Sequence, residues 1–561
     1  MKLLTQALDD HAERSGESLA LRFLVTGDCD GPVVELTYGA FHSKVLAVAR
    51  ELQTRVEVGD RVLLLYDGGI DFIVAMYGCL YAGVIAVPTY PPDPGRLHRT
   101  LPRLQAIAED AGATVVLTTG AILSVAEPLC QQVEALSRLS WIATPDVKTS
   151  PTDFSPVALE PDDTAYLQYT SGSTGVPKGV MVSHGNLAAI CGDMLDRWPY
   201  HAESHQISWL PTFHDLGLIW GLMTPLYGGV PVTFMLPVAF LQRPVRWFQA
   251  ISHYRGTTTA APNFGYELCN RKVTQEAIEA LDLTCLEAAM NAAEPIRDET
   301  LDLLNTRFAG TGLRPEAMSP WYGLAESTLQ VSVSGPQDGE PRRLRLSAEQ
   351  LEQGRAVSTE ADDAVVIIGC GSVASMNEVV IVEPVSHRRL GDRSVGEIWV
   401  SGPIVGQGYW GRREATEQTF RRRLEGEQDS RDWLDTGDLG FMDAGELYVT
   451  GRSKDLIIIR GRNIYPQDLE HLAEKIDPAV RPGCAAAFPI RVADEERIGL
   501  VCEIDPRKLD GDLDELLKRL RSGIAEGFDV QLHEVACIGP RAIYKTSSGK
   551  IQRRRTRDAL L

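Results

Sequence analysis

Between Tyr169 and Val180 the sequence YTSGSTGVPKGV concentrates glycines, hydroxyls and one ammonium in a single stretch. Gly172, Gly175 and Gly179 permit positive φ, and such residues in series turn backbone N–H groups inward to make an anion-binding concavity. The hydroxyls of Thr170, Ser171, Ser173 and Thr174 and the Lys178 ammonium add donors suited to polyphosphate oxygens. The nucleoside-triphosphate pattern GxxxxGK[ST] is not met, because Lys178 is preceded by Pro177 and followed by Gly179. The chemistry expected is phosphate binding by a loop of another kind. A flexible Ser/Gly linker has a similar composition, but linkers are rarely locked between two apolar strands.

Those strands are Ala165 to Tyr169 and Val180 to His184. They continue a pattern in which "RVLLLY" from Arg61, "VIAVP" from Val84 and "TVVLTT" from Thr114 read as strands. Phe41, Val45, Val48, Ala49 and Leu52 recur at helical spacing, and alternation of this kind predicts α/β layers with mainly parallel sheets. The apolar run Phe72 to Val87 carries Gly78 and Gly83 and stops at Pro88, so it reads as a buried helix and strand rather than an integral membrane segment. Near the C-terminus "GDLDELLKRLRSGI" offers Asp512 as N-cap, Glu515 three residues later, and a stripe of Leu513, Leu516, Leu517, Leu520 and Ile524. Upstream, "KDLIIIRGRNIYPQDLE" reads as a strand, a turn and a helix entered at Pro466. The expectation is a large multi-layered N-terminal domain, 1–453, and a small α+β domain, 454–561.

A chain of 561 residues is too long for one hydrophobic core, and 44% hydrophobic with 23% charged residues is ordinary for a soluble globular protein. A net charge of −21 argues against nucleic acid as a partner, since the one basic cluster is "RRRTR" at Arg553 to Arg557. Ten cysteines without a CxxC pair indicate neither a disulfide framework nor a zinc site, and fit a reducing cytoplasm. The opening "MKLLTQALDDHAERSG" meets Asp9 and Asp10 before a signal-like apolar stretch develops, so no export is expected.

The loop sequence resembles the phosphate-loop motif of the adenylate-forming superfamily, which includes acyl-CoA synthetases, peptide-synthetase adenylation domains and luciferases. "YGLAEST" (Tyr322 to Thr328), "DTGDLG" (Asp435 to Gly440), "GRSKDLIIIRGRNIYP" (Gly451 to Pro466) and "KTSSGK" (Lys545 to Lys550) follow in the order of that superfamily. The resemblance implies an enzyme that joins a carboxylate to ATP with Mg²⁺, making an acyl-adenylate and pyrophosphate, and then passes the acyl group to a thiol. It assigns Thr170, Ser171, Gly172, Ser173, Thr174 and Lys178 to the β- and γ-phosphates. Tyr322 and Gly323 fall to the adenine side, Glu326 to Mg²⁺, and Thr328 or its neighbour Ser327 to the α-phosphate. Asp438 and Arg452 fall to the ribose and phosphate, Lys550 to the charge that develops during attack, and Lys454 to a hinge on which the small domain swings.

The segment from Ser208 to Cys269 is long, apolar and aromatic, and with "MNAAEPIR" (Met290 to Arg297) it resembles the fatty acyl-AMP ligases more closely than other branches. That likeness implies a fatty acid substrate and an acyl pocket built from Trp209, Phe213, His214, Asp215, Gly217, Asn263 and Phe264, with His214 close to the chemistry. Trp209, Phe213, Trp220 and Trp247 serve equally well as core aromatics on composition alone. The polar stretch Gly335 to Val357 matches the place of an insertion thought to hinder use of free CoA in that branch. The implied acceptor is therefore an acyl carrier protein, or a carrier domain of a polyketide or peptide synthase, with free CoA as the alternative. Phe213 stands where many relatives carry Tyr, and Ser327 where Ala is common.

Overall fold

The structure, a computed structural model, describes the chain apart from residues 92–96, 125, 127–129, 131–132, 171–176, 199, 428–429, 460–461, 493–494, 547–548 and 561. The apolar runs of the first third become the middle of a sheet. Arg61–Leu65, Ile85–Thr89 and Val115–Thr118 are buried at nearly every position, as strands covered on both faces must be. With Ser140–Ala143 and Thr164–Thr170 they pair in parallel. Lys178–Ser183 then closes this sheet antiparallel to Thr164–Thr170, with Thr170 opposite Lys178. The candidate phosphate loop is thus the connection of a hairpin. Helix Tyr38–Gln53 starts at Thr37, whose side chain accepts from the Ala40 N–H, and buries Phe41, Val45, Val48, Ala49 and Leu52. The run from Phe72 divides into the buried helix Ile70–Ala82 and the strand Ile85–Thr89. Among the described residues no helix is long and apolar enough to cross a membrane.

A second, mixed sheet has 14 strands among the described residues. Leu19–Leu24, Val232–Met235, Gln206–Ser208, Thr258–Pro262, Ala288–Ala292 and Met318–Gly323 pair in parallel, in that spatial order. From Met318–Gly323 onward the pairing is antiparallel, through Gln330–Val333, Val365–Val373, Glu446–Arg452, Leu434–Asp443, Gly396–Ser401 and Glu378–Val382. The mainly parallel expectation therefore describes the first 323 residues, and the stretch 318–452 departs from it. Several short connections there, such as the turn between Asp443 and Glu446, leave no room for crossover helices.

The last hundred residues carry a core of their own, in which Leu469, Val480, Leu500, Leu516, Leu520 and Ile524 meet. Helices Pro466–Ile476 and Leu513–Phe528 cover a sheet of Val480–Val492, Glu495–Ile504 and Leu532–Ile538. Asp512 caps the second helix by accepting from the Glu515 N–H at 2.8 Å. Leu516, Leu520 and Ile524 are buried as the stripe predicted, but Leu513 is exposed in the first turn. The stretch expected as strand and turn forms a hairpin, Ile457–Ile459 with Arg462–Ile464. The polar segment 335–357 is built into the fold: Arg343–Leu346 pairs with Val365–Val373, and Leu346 and Leu351 pack against Tyr465.

Candidate active site

A cleft of about 2110 Å³ runs between the large unit and the C-terminal unit. Thr170, Lys178, Tyr322, Gly323, Glu326, Asp438, Arg452, Lys454 and Lys550 all border it. Ser171, Gly172, Ser173 and Thr174, with Gly175, lie outside the described residues. Gly179 does not use positive φ as the sequence suggested. It sits in a strand opposite Tyr169, and a Cβ there would meet the Tyr169 ring at 2.9 Å, so the need is space.

Asp438 and Arg452 are direct cross-strand partners, which brings two residues 14 positions apart into register. Arg452 Nε donates to Asp438 Oδ1 at 2.9 Å, and the Tyr322 phenol donates to Oδ2 at 2.8 Å. A carboxylate has about four lone-pair sites, so Asp438 retains capacity to accept from a ligand hydroxyl. Burial pushes the Tyr322 phenol well up, and the neighbouring Asp438 charge adds to it. Gly323 ends its strand where a Cβ would lie 1.8 Å from the Leu329 carbonyl oxygen, so only glycine fits this return.

Glu326 follows in the 3₁₀ turn Ala325–Ser327. The Tyr409 phenol donates to its Oε1 at 2.8 Å, and the Lys178 ammonium lies 4.7 Å from the Tyr409 ring centroid. Tyr409 is held there because residues 407–410 run beside the strand of Lys178, with Met181 N–H donating to the Gly408 carbonyl and Trp410 N–H to the Gly179 carbonyl. The Lys178 ammonium is pushed down, first by burial and then by repulsion from Lys454 and Arg412, against the pull of Glu326. No cluster of three or more His, Cys, Asp or Glu able to hold a metal occurs among the described residues. A single carboxylate suits Mg²⁺ that arrives on substrate phosphates, since that ion keeps waters and needs only one or two protein carboxylates.

Thr328 and Ser327 do not face the cleft. Thr328 turns at φ 65, is fully buried, and donates through its hydroxyl to the Ile404 carbonyl at 2.6 Å. The Ser327 hydroxyl donates to the Leu324 carbonyl at 2.9 Å. The Ser327 hydroxyl closes the turn that presents Glu326 and the Thr328 hydroxyl ties it to Ile404, so both are donated away from the cleft and the α-phosphate assignment to either is corrected.

Lys550 enters from the C-terminal unit. Its charge is felt by Asp215, Asp438 and Glu294 and by Arg452, all of the large unit. Burial, then Arg452, pushes the ammonium down, while the three carboxylates oppose that shift. Asp215 shows the converse balance. Burial pushes it up, but the His214 imidazole, the Lys550 ammonium and the Leu216 N–H together hold it below the usual carboxylate range. His214 Nδ1 is 2.5 Å from Asp215 Oδ1, and Asp215 also accepts from the Leu216 N–H at the start of the buried π-helical segment Leu216–Met223.

The same cleft is bordered by the apolar side chains Trp209, Pro237, Leu241, Phe264 and Leu268, and by His214, Asp215 and Gly217. Trp209 stacks on Phe240 at 3.8 Å and meets Phe264 edge-on at 6.0 Å. Phe213 is not among the bordering residues; it packs on Tyr90 at 5.0 Å, while its carbonyl accepts from Gln168. Asn263 borders the cleft with its amide already engaged, accepting from the Arg297 N–H and from Asn291 and donating to Thr300. It builds the wall instead of facing a chain. Trp220 and Trp247 are core aromatics. Glu294 and Tyr409 escaped assignment from sequence. Glu294 accepts from the Phe264 N–H, and burial raises its pKa against that bond and the charges of Arg297 and Lys550. Its segment "AEPIR" was visible, but nothing in it told which way the carboxylate faces.

Residues 8–410 match the AMP-binding enzyme family. The chain is 43% identical over 542 residues to the medium-chain-fatty-acid--[acyl-carrier-protein] ligase JamA of Moorena producens, covering 95% of this chain and 91% of that protein. It is 38% identical over 598 residues to the long-chain-fatty-acid--AMP ligase FadD32 of Mycolicibacterium smegmatis, covering 98% and 94%. Its fold matches a crystal structure of a fatty acyl-adenylate ligase from L. pneumophila in complex with acyl adenylate and pyrophosphate, with a TM-score of 0.77, 34% identity, and coverage of 100% and 96%. With a shared cleft, five motifs in order and likeness over nearly its whole length, the chain belongs to the AMP-binding enzyme family, on the branch of the fatty acyl-AMP ligases.

Proposed function

We propose that this enzyme activates a medium- or long-chain fatty acid with ATP to acyl-AMP, releasing pyrophosphate, and passes the acyl group to the phosphopantetheine thiol of an acyl carrier protein. The observation that carries this reading is that Lys178, Glu326, Asp438, Arg452 and Lys550, drawn from both units, border one cleft that is also lined by Trp209, Pro237, Leu241, Phe264 and Leu268, side chains that suit an acyl tail. In the first step a carboxylate oxygen attacks the α-phosphorus and the bond to the β-phosphate bridging oxygen breaks. Two anions approach each other, so fixed cations aimed at the developing charge supply most of the catalysis. Lys178 and the hairpin loop take the β- and γ-phosphates, Asp438 accepts from a ribose hydroxyl, and Arg452 and Lys550 flank the α-phosphate. The depressed ammonium of Lys550 regains its proton affinity when anionic substrates surround it. Glu326 would hold Mg²⁺, which would supply neutralisation of charge on the triphosphate.

In the second step the carrier thiol attacks the acyl carbonyl and AMP leaves. The boundary at 453/454 serves as the hinge: Lys454 sits in the short turn Ser453–Asp455, between the last strand of the large unit and the hairpin that opens the small one. The segment 335–357 bears on this swing, because Glu352 accepts two bonds from Arg462, at 2.7 and 3.0 Å. Ten cysteines, all free, fit a cytoplasmic location. The test is mass spectrometry of products from ATP, Mg²⁺ and a fatty-acid panel, with free CoA and carrier proteins offered in parallel. Acyl-AMP and acyl-carrier thioester are expected. Absence of fatty-acid-dependent pyrophosphate release overturns the reading, and acyl-CoA as main product overturns its acceptor.

A further inference from the structure

Arg103 borders the cleft beside Tyr169, Thr170, Pro177 and Lys178. It belongs to helix Leu97–Ala111, whose Leu104, Ile107, Ala108 and Ala111 pack into the core under the six-stranded sheet. The backbone that carries it is therefore fixed by packing. Among the described residues its hydrogen-bond partner is the Tyr169 carbonyl, 3.4 Å from Nη2, at the far limit of such a bond, and no carboxylate pairs with it. Asp110, on the same helix, is already engaged. One of its oxygens lies 2.5 Å from Arg412 Nη2 and the other accepts from the Tyr169 phenol at 2.8 Å. Glu326 accepts from Tyr409. Arg103 is thus a half-buried guanidinium, depressed by burial and with no ion pair among the described residues to offset it, in a chain of net charge −21. A desolvated cation left without a counter-ion is costly, and such a position is understandable where an anion arrives with the substrate.

We infer that Arg103 anchors the terminal phosphates of ATP, and the pyrophosphate that leaves, from the same stretch of the cleft border as Thr170 and Lys178. This rests on the function proposed above. The guanidinium fork pairs with two phosphate oxygens at once, whereas Lys178 supplies a point charge, so the two residues do different work at the same anion. AMP lacks the β- and γ-phosphates and has nothing for Arg103 to hold.

Calorimetry on Arg103→Gln with Mg·ATP, Mg·pyrophosphate and AMP tests the inference without requiring any fatty acid. The expected result is a dissociation constant about 10- to 100-fold higher for ATP and pyrophosphate, as for loss of a charge-assisted bond, with AMP within about twofold of wild type. Equal weakening of ATP and AMP, or no weakening of either, overturns it. Should the glutamine variant fail to fold, Arg103→Lys carries the same test. A few-fold loss confined to ATP and pyrophosphate supports the fork, and unchanged or uniformly weakened binding refutes it. Failure of wild type to bind ATP sinks the proposed function itself, a result distinct from either.

Discussion

The two sides of the cleft are built on opposite principles. On the large-unit side, Asp438 already holds Arg452 and Tyr322, and two paired strands set their spacing. On the small-unit side, Lys550 sits in an irregular segment tied by a bond from its own N–H to the Thr546 hydroxyl and one from the Thr546 N–H to its carbonyl. Its ammonium is surrounded by charge rather than bonded to it. The first side has its polar groups already bonded to one another, and the second presents an ammonium with no such bond among the described residues. This asymmetry is what the hinge proposed above calls for, since in that proposal Lys550 is withdrawn before the thiol approaches.

The sharpest way to break the comparison is Lys550→Ala. It should lower fatty-acid-dependent pyrophosphate release by about two to three orders of magnitude, while thermal melting stays near wild type. Unchanged pyrophosphate release would sink the assignment. A smaller and more selective effect is expected of Lys454→Pro, which stiffens the turn without touching the strand pair. Acyl-AMP formation should stay within about threefold of wild type, while acyl transfer to a carrier protein falls by at least about tenfold. Equal loss of both steps in single-turnover assays would mean that the residue serves binding and not the swing.

The same asymmetry explains what the sequence could reveal. Tyr322, Glu326, Asp438, Arg452 and Lys550 could be singled out because short motifs carry them in a fixed order, and all five border the one cleft. The alternation of strands and helices foretold the parallel layers, and the stripe at Leu516, Leu520 and Ile524 foretold a second core. Thr328 and Ser327 were misread because hydroxyls near a metal-binding motif look available, whereas the turn's positive φ at Thr328 sends them inward. Phe213 was misread because its direction depends on packing with Tyr90, more than a hundred residues earlier. Tyr409, Glu294 and Arg103 were missed for a related reason. Each gains meaning only from partners that the fold brings in from elsewhere in the chain, and no local spacing records that.

Contacts that hold the small unit against the large one sharpen the comparison further. Arg297 Nη1 lies 3.3 Å from Glu474, and the Lys475 ammonium 2.7 Å from Glu299, across the boundary between helices Asp298–Phe308 and Pro466–Ile476. The second pair is exposed, so it contributes no more than about 1 kcal/mol. Glu299→Gln should therefore raise the ratio of transfer to adenylation by only about twofold, and the difference should vanish in high salt. A change of tenfold or more would show that this edge is a latch rather than a weak contact.

The smallest effect expected is also the most diagnostic of charge kept in reserve. Asp468, on the cleft face of the small unit, has its carboxyl pushed up to about 7, first by burial and then by Glu470, against the pull of Arg297 and Arg553. A carboxyl raised in the folded state costs nothing below the unfolded value of 3.8, where both states keep the proton. Stability is lost as the pH climbs from there, and the loss is complete above about 7. Asp468→Asn removes the titration. The variant should melt at a higher temperature than wild type at about pH 8, and the gap should close as the pH falls toward about 4. A gap independent of pH would mean that Asp468 is already ionised and paired, and that the small unit's side of the cleft is as fully settled as the other.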